Sequence, residues 1–298
     1  MAGELDFIAR LRVLASHPAA RGLDDDCAVL PLGHETLILT HDAMAQGVHY
    51  LPTQDMADVA WKLVATNLSD LAAKGAQPLG VLLGYALARV GSGGDERFLA
   101  GLGEVLAHYA TPLLGGDTIR VEGAPSFGLT AIGRATHTPV PSRSGAQPGD
   151  GLWITGPVGG AMIGLEALQA GDTDPAASLA YRRPQALLAQ GQALAPVVSA
   201  MMDVSDGLLL DAYRIGVASG VTIAIASADV PLGAPEPRRQ EALRWGDDYQ
   251  LLFTAPQDAP LPVPATRIGT VLARGAAPLV LDGAPLADPA HLGWSHSG

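Results

Sequence analysis

Aspartates are the residues of this sequence best placed to do chemistry, because they fall in short groups among glycines and apolar residues. Asp24, Asp25 and Asp26 precede CAVL, Asp42 follows ILTH, and Asp70 sits in NLSDLAAKGA. Asp117 lies in LLGGDT, Asp203 and Asp206 in MMDVSDG, and Asp247 and Asp248 in WGDDYQLLF. An ionised carboxylate in apolar surroundings must be paired, or else it shifts its pKa and neutralises. The only lysines in the chain are Lys62 and Lys74, so arginine and bound metal must supply most of the compensation. Grouped carboxylates suit a hard, oxygen-ligated cation such as Mg²⁺, which reaches proteins through a few carboxylates while holding substrate phosphates.

Each group also has a plainer explanation. At about 100° per residue Asp70 lies beside Leu63 and Val59, at the edge of an apolar arc of Met56, Ala60, Leu63, Val64 and Leu71, so it points inward or along a seam. Its alternative is an i,i+4 ion pair with Lys74. Asp42 follows a predicted strand, where α/β proteins place ligands, although a lone Asp there also forms turns and caps. Ser205 and Asp206 stand where DVSDG runs into LLLDAYRI, which reads as a helix N-terminus and so is compatible with a phosphate site. In Gly115-Gly116-Asp117-Thr118 the glycines would let a phosphate or metal approach the backbone. The matching Gly93-Gly94-Asp95 opens an amphipathic helix and reads as a cap.

Several standard machineries are missing. There is no G-x-x-x-x-G-K-[ST], G-x-S-x-G, H-E-x-x-H or paired C-x-x-C, and the turn from Gly156 to Gly160 reads as a packing turn.

The elements that must position these groups alternate between strand and helix. The pattern predicts strands over 35–41, 79–88, 113–115 and 126–134, and helices over 55–74 and 95–110. The stretch THTPVPSRSGAQPGD, 136–150, is rich in proline and glycine and marks a linker, with the domain boundary placed at 138/139. Beyond it come strands over 152–155, 221–226, 249–254 and 266–272, apolar helical periodicity from Ala161, and a helix opening at Asp206. Two layered α/β domains, 1–138 and 139–298, are expected.

Composition narrows the partners. In 298 residues that are 48% hydrophobic, 30 acids against 18 Lys and Arg give a formal net charge of -12, which repels polyanions. Nucleic acid and acidic membrane are not expected as partners. Cys27 is the only cysteine and reads as a small core residue, so no disulfide framework is possible. The opening MAGELDFIARL resembles no leader, and the longest apolar stretch, 79–90, is too short to span a bilayer. A cytoplasmic location is expected.

Taken in order, DDDCAVL, THDAMAQGVHY, NLSDLAAKGAQP, GGDTIR, SRSGAQPGD, MDVSDGL and GDDYQLLFT resemble the thiamine-monophosphate kinase family, within the superfamily that includes aminoimidazole ribonucleotide synthetase. GVHY, NLSDLAA, GDDYQLLFT and the GWSH ending carry the likeness within that superfamily. The resemblance implies an N-terminal ferredoxin-like, PurM-like α/β domain that pairs in a homodimer and a C-terminal PurM-like α/β domain. It implies ATP as co-substrate, several Mg²⁺ ions, and thiamine monophosphate as phosphoryl acceptor. Carried over by motif, Asp26, Thr40, His41, Asp42, Asp70, Asp117, Asp203 and Asp206 form the metal site, with Asp42, Asp117 and Asp206 catalytic. Gly116, Asp117, Arg143 and Ser205 contact ATP, while His49, Asp248 and Trp294 hold thiamine monophosphate.

The chain departs from the family pattern at three places. Asp24-Asp25-Asp26 replaces Gly-Asp-Asp, Thr40-His41-Asp42 replaces Ser-Thr-Asp, and Gly246-Asp247-Asp248-Tyr249-Gln250 replaces Gly-Glu-Asp-Tyr-Glu. A synthetase of the same superfamily acting through an acyl or imidate phosphate, or a non-catalytic protein binding ATP and metal, are the alternatives.

Overall fold

The computed structural model describes residues 4–87 and 93–294. Ala88, at the end of a predicted strand, and Ser295 and His296 of the GWSH ending lie outside the described residues, as does the tail of the apolar stretch to Val90. The first half comprises α1 (Glu4–Leu14), β1 (Ala28–Leu32), β2 (Glu35–Ala45), α2 (Met56–Ala73), β3 (Ala76–Leu87), α3 (Gly94–His108), β4 (Leu113–Arg120) and β5 (Ser126–Ala135). Its five strands form a sheet in the order β1-β2-β5-β3-β4, in which only the β3–β4 pair is parallel. The second half comprises β6 (Asp150–Ile154), α4 (Gly160–Gln169), α5 (Leu179–Arg182), α6 (Leu188–Leu194), β7 (Ala200–Asp203), α7 (Leu208–Ser219), β8 (Thr222–Ile225), α8 (Arg239–Trp245), β9 (Leu251–Pro256), β10 (Thr266–Leu272), β11 (Leu279–Leu281) and β12 (Ala284–Leu286). Its seven strands run in the order β12-β11-β8-β10-β6-β9-β7. No described helix is long and apolar enough to cross a membrane.

Helix α2 organises the molecule. The expected span of 55–74 is met, with Asp55 capping the N-terminus through the Ala57 N–H and Lys74 in the C-cap position. The apolar arc predicts one buried face, yet all of its residues except Met56 and Asp70 are buried. The reason is tertiary: β2, β3, β5 and α3 pack on one side, and α5, α6 and the edge strand β7 of the second half pack on the other. Ala72 and Ala73 enter a core with Leu194, Met201, Leu251 and Phe253, joining the two halves. Polar residues of α2 therefore have to find protein partners, and Asp58 takes Arg182 and Arg183.

Two strands run past their expected ends because pairing overrides local propensity, and one helix starts late. Asp42 does not follow β2 but lies within it, paired with Leu129, because the β2–β5 ladder continues to Ala45–Ser126. Strand β4 runs on through Gly115, Gly116 and Asp117 to Arg120, since parallel pairing with β3 supplies partners along that length. Helix α7 starts at Leu208 rather than Asp206: Gly207 sits at φ 121°, and a Cβ there would meet the Arg244 carbonyl at 2.7 Å. The short strands β1, β7, β11 and β12 carry too few residues to show a period of their own.

Candidate functional site

The site is built around the C-terminal half of α2. Asp70 leaves the helix toward β2, where the Thr40 hydroxyl donates to its carboxylate. Asp26 arrives from the bend before β1, and Asp203 from the end of β7. Asp26, Asp70 and Asp203 each bring a carboxylate oxygen within 4.8 Å of the other two. Burial drives the Asp70 pKa well above the usual carboxylate range, and the neighbouring charges of Asp42, Asp203 and Asp26 add to it. Burial, with the Asp26 charge, likewise pushes Asp203 up to about 8. Asp42 is an exposed residue, but protein packed around its carboxyl raises its pKa, opposed by His41 and assisted by Asp206 and Asp26.

Compensation within the protein is one-sided. Lys74 lies 2.5 Å from Asp25 Oδ1 and 2.5 Å from Asp26 Oδ2, so the expected pairing with Asp70 gives way to acids brought in from the loop before β1. Arg143 Nε donates to Asp26 Oδ1 at 2.8 Å. Burial works against the Asp25 carboxylate, but Lys74 and Arg21 outweigh it and hold it well below the usual range. Among the described residues no lysine or arginine forms an ion pair with Asp70 or Asp203. Asp26 Oδ2 is buried and lacks a partner in hydrogen-bonding geometry. Three converging carboxylates, two without a cation, form an all-oxygen donor set that fits a hard divalent ion such as Mg²⁺.

Two neighbours on α2 that sequence reasoning passed over hold this arrangement. Past Leu39, β2 has lost its partner β1, and the exposed N–H of Asp42 is taken by Asn67 Oδ1 at 2.9 Å. Ser69 Oγ donates to Asp203 Oδ2 at 2.5 Å. In NLSD, therefore, Asn67 and Asp70 both reach β2, at Asp42 and Thr40, while Ser69 reaches β7 at Asp203. Their i, i+2 and i+3 spacing round a buried helix was the only available signal, and it is unreadable until both sides of the helix are known to be covered.

The other expected residues are placed as follows. Thr40 faces α2, whereas His41 points to the opposite side of β2, its Nδ1 2.9 Å from Thr130 Oγ1. At the position of the family's second hydroxyl the chain thus has an imidazole turned toward β5. Asp117 and Gly116 lie on the exposed edge strand β4; the register runs from Asp42 through Leu129 and Leu83 to Gly116, three strand spacings or roughly 14 Å. Gly116 has a packing role as well, because at φ 152° a Cβ would meet the Leu83 carbonyl at 1.9 Å. Asp206 receives Arg214 Nη1 at 2.6 Å, and the same guanidinium holds the buried Asp211 at 2.7 Å. Cys27 is buried, as expected, and burial pushes its thiol well up.

A second group of residues flanks the acidic cluster. The His49 and Trp294 rings have centroids 6.0 Å apart. The Ala45 N–H donates to His49 Nδ1 at 3.1 Å, which leaves the ring proton on Nε2. The Trp294 N–H donates to the Asp206 carbonyl, and the Asp247 N–H to the Ser205 carbonyl, both at 2.8 Å, tying this group to the loop after β7. Asp248 is committed elsewhere: its carboxylate accepts from the Gly159 N–H at 2.8 and 2.9 Å and anchors the start of α4. Burial raises it to about 7 against those amide donors. The glycines from Gly156 to Gly160 therefore serve packing and the Asp248 anchor, and it is Asp247 that faces the first half, through Lys62 Nζ at 2.7 Å.

Comparison with known proteins adds four findings. A family model described as AIR synthase related protein, N-terminal domain, matches residues 24–135. A thiamine-monophosphate kinase of Escherichia coli is 38% identical over 275 residues, covering 86% of this chain and 83% of the relative. Among solved structures, AaThiL complexed with AMPPCP and TMP superposes with a TM-score of 0.88 at 28% identity, covering 99% of this chain and 97% of that one. The thiamine monophosphate kinase of Aquifex aeolicus superposes with a TM-score of 0.83 at 29% identity over 95% of this chain and 98% of that one.

Proposed function

The chain belongs to the thiamine-monophosphate kinase family, and from that membership we propose that it transfers the γ-phosphoryl group of ATP to thiamine monophosphate, giving thiamine diphosphate and ADP in thiamine diphosphate biosynthesis. The observation that carries the reading is the meeting of Asp26, Asp70 and Asp203 within 4.8 Å, with the neighbouring Asp206 carbonyl holding the Trp294 N–H and the Trp294 ring 6.0 Å from that of His49. Relatives that match most of the chain favour the kinase over a synthetase or a non-catalytic binder.

Phosphoryl transfer asks for positioning and charge neutralisation rather than for a covalent intermediate on the protein. Asp26, Asp42, Asp70, Asp203 and Asp206, with Thr40 beside them, are the residues that would hold Mg²⁺. When bound, Mg²⁺ supplies the positive charge that lets two phosphate groups approach each other. Arg143 and Ser205 are assigned to ATP. Trp294 is the aromatic residue assigned to the cationic thiazolium or the pyrimidine, and His49, with its ring 6.0 Å from that of Trp294, is assigned to the same ligand. We place the two domains at 1–138 and 139–298 and the reaction in the cytoplasm.

The reading includes a homodimer. Every residue of β4 is exposed, and Leu82, Leu113, Leu114 and Ile119 are exposed large apolar side chains on β3 and β4. A second copy against this edge would cover them and give Gly116 and Asp117, remote from the cluster of their own chain, a neighbouring site to serve. Ile119→Asp is expected to convert the dimer to monomer in light scattering and to lower turnover; a dimer unaffected by the change would place the interface elsewhere.

The function itself is tested by incubating the protein with ATP and thiamine monophosphate and separating the products. Equal amounts of ADP and thiamine diphosphate are expected with Mg²⁺, and neither with a chelator. Release of ADP without thiamine diphosphate would overturn the acceptor assignment.

A further inference from the structure

We infer that Lys62 is a positioning residue for the thiamine-phosphate pocket, holding the backbone of His49 on one side and the side chain of Asp247 on the other so that the two walls keep one spacing. The inference rests on the kinase reading above and goes beyond it, since neither Lys62 nor Asp247 figures in the expected site.

Lys62 lies on α2 twelve residues before Lys74, about 18 Å along the axis at 1.5 Å per residue, and its side chain is 2% exposed. Three groups from separate segments converge on its ammonium. The His49 carbonyl, from the loop after β2, accepts at 3.3 Å. Asp247 Oδ2, from the turn before β9, accepts at 2.7 Å. The ring of Tyr181, on α5, lies 3.8 Å away at its centroid. Tyr181 reinforces the first contact, because its hydroxyl donates to the same His49 carbonyl at 3.1 Å.

Asp247 needs such a holder. Its backbone is left-handed at φ 59°, between Gly246 at 93° and Tyr249 at 51°, and a non-glycine residue keeps that conformation only where its surroundings demand it. One carboxylate oxygen is held by Lys62 and the other by the Tyr249 hydroxyl at 2.8 Å. Through its N–H the same residue grips the Ser205 carbonyl. One ammonium thus links the pocket wall carrying His49 to the turn that steadies the loop of Ser205 and Asp206.

Stability alone gives little reason for a lysine here. Lys62 is buried and Asp247 is 31% exposed, and desolvating the ammonium offsets its attraction to the carboxylate, so such a pair is commonly no better than an apolar residue of the same volume. A methionine side chain at this position would fill the space without the charge. What only the ammonium does is specify where His49 and Asp247 stand relative to each other.

The test compares wild type, Lys62→Met, Lys62→Arg and the double change Lys62→Met with Asp247→Asn. Each is assayed for KM of both substrates, for kcat, for melting temperature, and for thiamine monophosphate binding by calorimetry. Lys62→Met should raise the KM and Kd for thiamine monophosphate on the order of thirtyfold, as expected for loss of a charged hydrogen-bond anchor, and leave the KM for ATP within about twofold. Lys62→Arg, which keeps the charge, should recover part of the affinity. The double change removes the stranded carboxylate and should restore the melting temperature but not the affinity. The inference is overturned if Lys62→Met moves only the melting temperature, raises both KM values equally, or is corrected in affinity by Asp247→Asn. Wild type failing to phosphorylate thiamine monophosphate would bring down the kinase reading and this inference with it. Active wild type with an unaltered Lys62→Met would sink the inference alone.

Discussion

Asp70→Asn is expected to lower Mg²⁺-dependent formation of thiamine diphosphate by about a thousandfold, a loss typical of removing one preorganised electrostatic contact to a transition state, and at the same time to raise the melting temperature of the metal-free protein. Both effects come from one geometry. Asp70 has carboxylates of Asp26 and Asp203 within 4.8 Å and feels the charge of Asp42, yet pairs with no lysine or arginine among the described residues. Asparagine keeps the volume and can still accept the Thr40 hydroxyl, so packing survives while a buried acid that must hold its proton or face the neighbouring carboxylates goes. Removing that cost stabilises the metal-free protein, and loss of a ligand weakens the hold on the cation that phosphoryl transfer needs. Turnover and thermal melting with and without Mg²⁺ check both halves: Mg²⁺ should raise the wild-type melting temperature and barely move that of the variant. Activity within tenfold of wild type would show that the chemistry is not centred on this triad.

The metal-free protein should lose stability as pH rises from about 4 to 8, by roughly 5 °C or more in melting temperature, and Mg²⁺ should cancel or reverse the slope. The sign follows from proton counting. Burial lifts Asp203 to about 8 from an ordinary 3.8, so across that interval the folded chain keeps a proton that the unfolded chain has released. Where the folded state binds more protons, stability falls with rising pH. Asp70 acts in the same direction, as do Asp211 and Asp248, each raised to about 7 by burial. Asp25 is the opposite case, held low by Lys74 and Arg21 against burial. Its contribution is complete above its unfolded pKa and is lost only in stronger acid. Metal binding requires deprotonated ligands and therefore strengthens as the free chamber weakens. Melting curves at intervals across this pH range, in chelator and in Mg²⁺, measure the two slopes. A chelated protein that gains stability through this range would mean that Lys74 and Arg143 already satisfy the ionised cluster.

Several of these features were legible in the residues themselves. The apolar arc and the flanking Asp55 and Lys74 predict α2 to within a residue at each end, and the apolar run over 266–272 is β10 as expected. The wheel turns Asp70 inward, and it does meet Thr40 across the helix–sheet seam. The ordered motifs also point to the family that whole-chain relatives show. Other features resisted sequence reading. Lys74 looks like an i,i+4 partner for Asp70, yet Asp25 and Asp26, far upstream in the chain, take its ammonium. Asp247 and Asp248 are adjacent and alike, and only the fold assigns Asp248 to the start of α4 and Asp247 to Lys62.

What the sequence by itself determined are quantities with a short period, helix at about 3.6 residues and strand at about 2, and an acid excess that calls for a cation. What only the tertiary structure decided is which of those acids meet. Asp26, Asp70 and Asp203 stand on three elements far apart in the chain, and closing such loops leaves no local imprint, because the energy that closes them comes from burying α2 between two sheets rather than from the aspartates. The same burial turns Asn67, Ser69 and Lys62, inconspicuous in sequence, into the groups that hold Asp42, Asp203 and Asp247 in place.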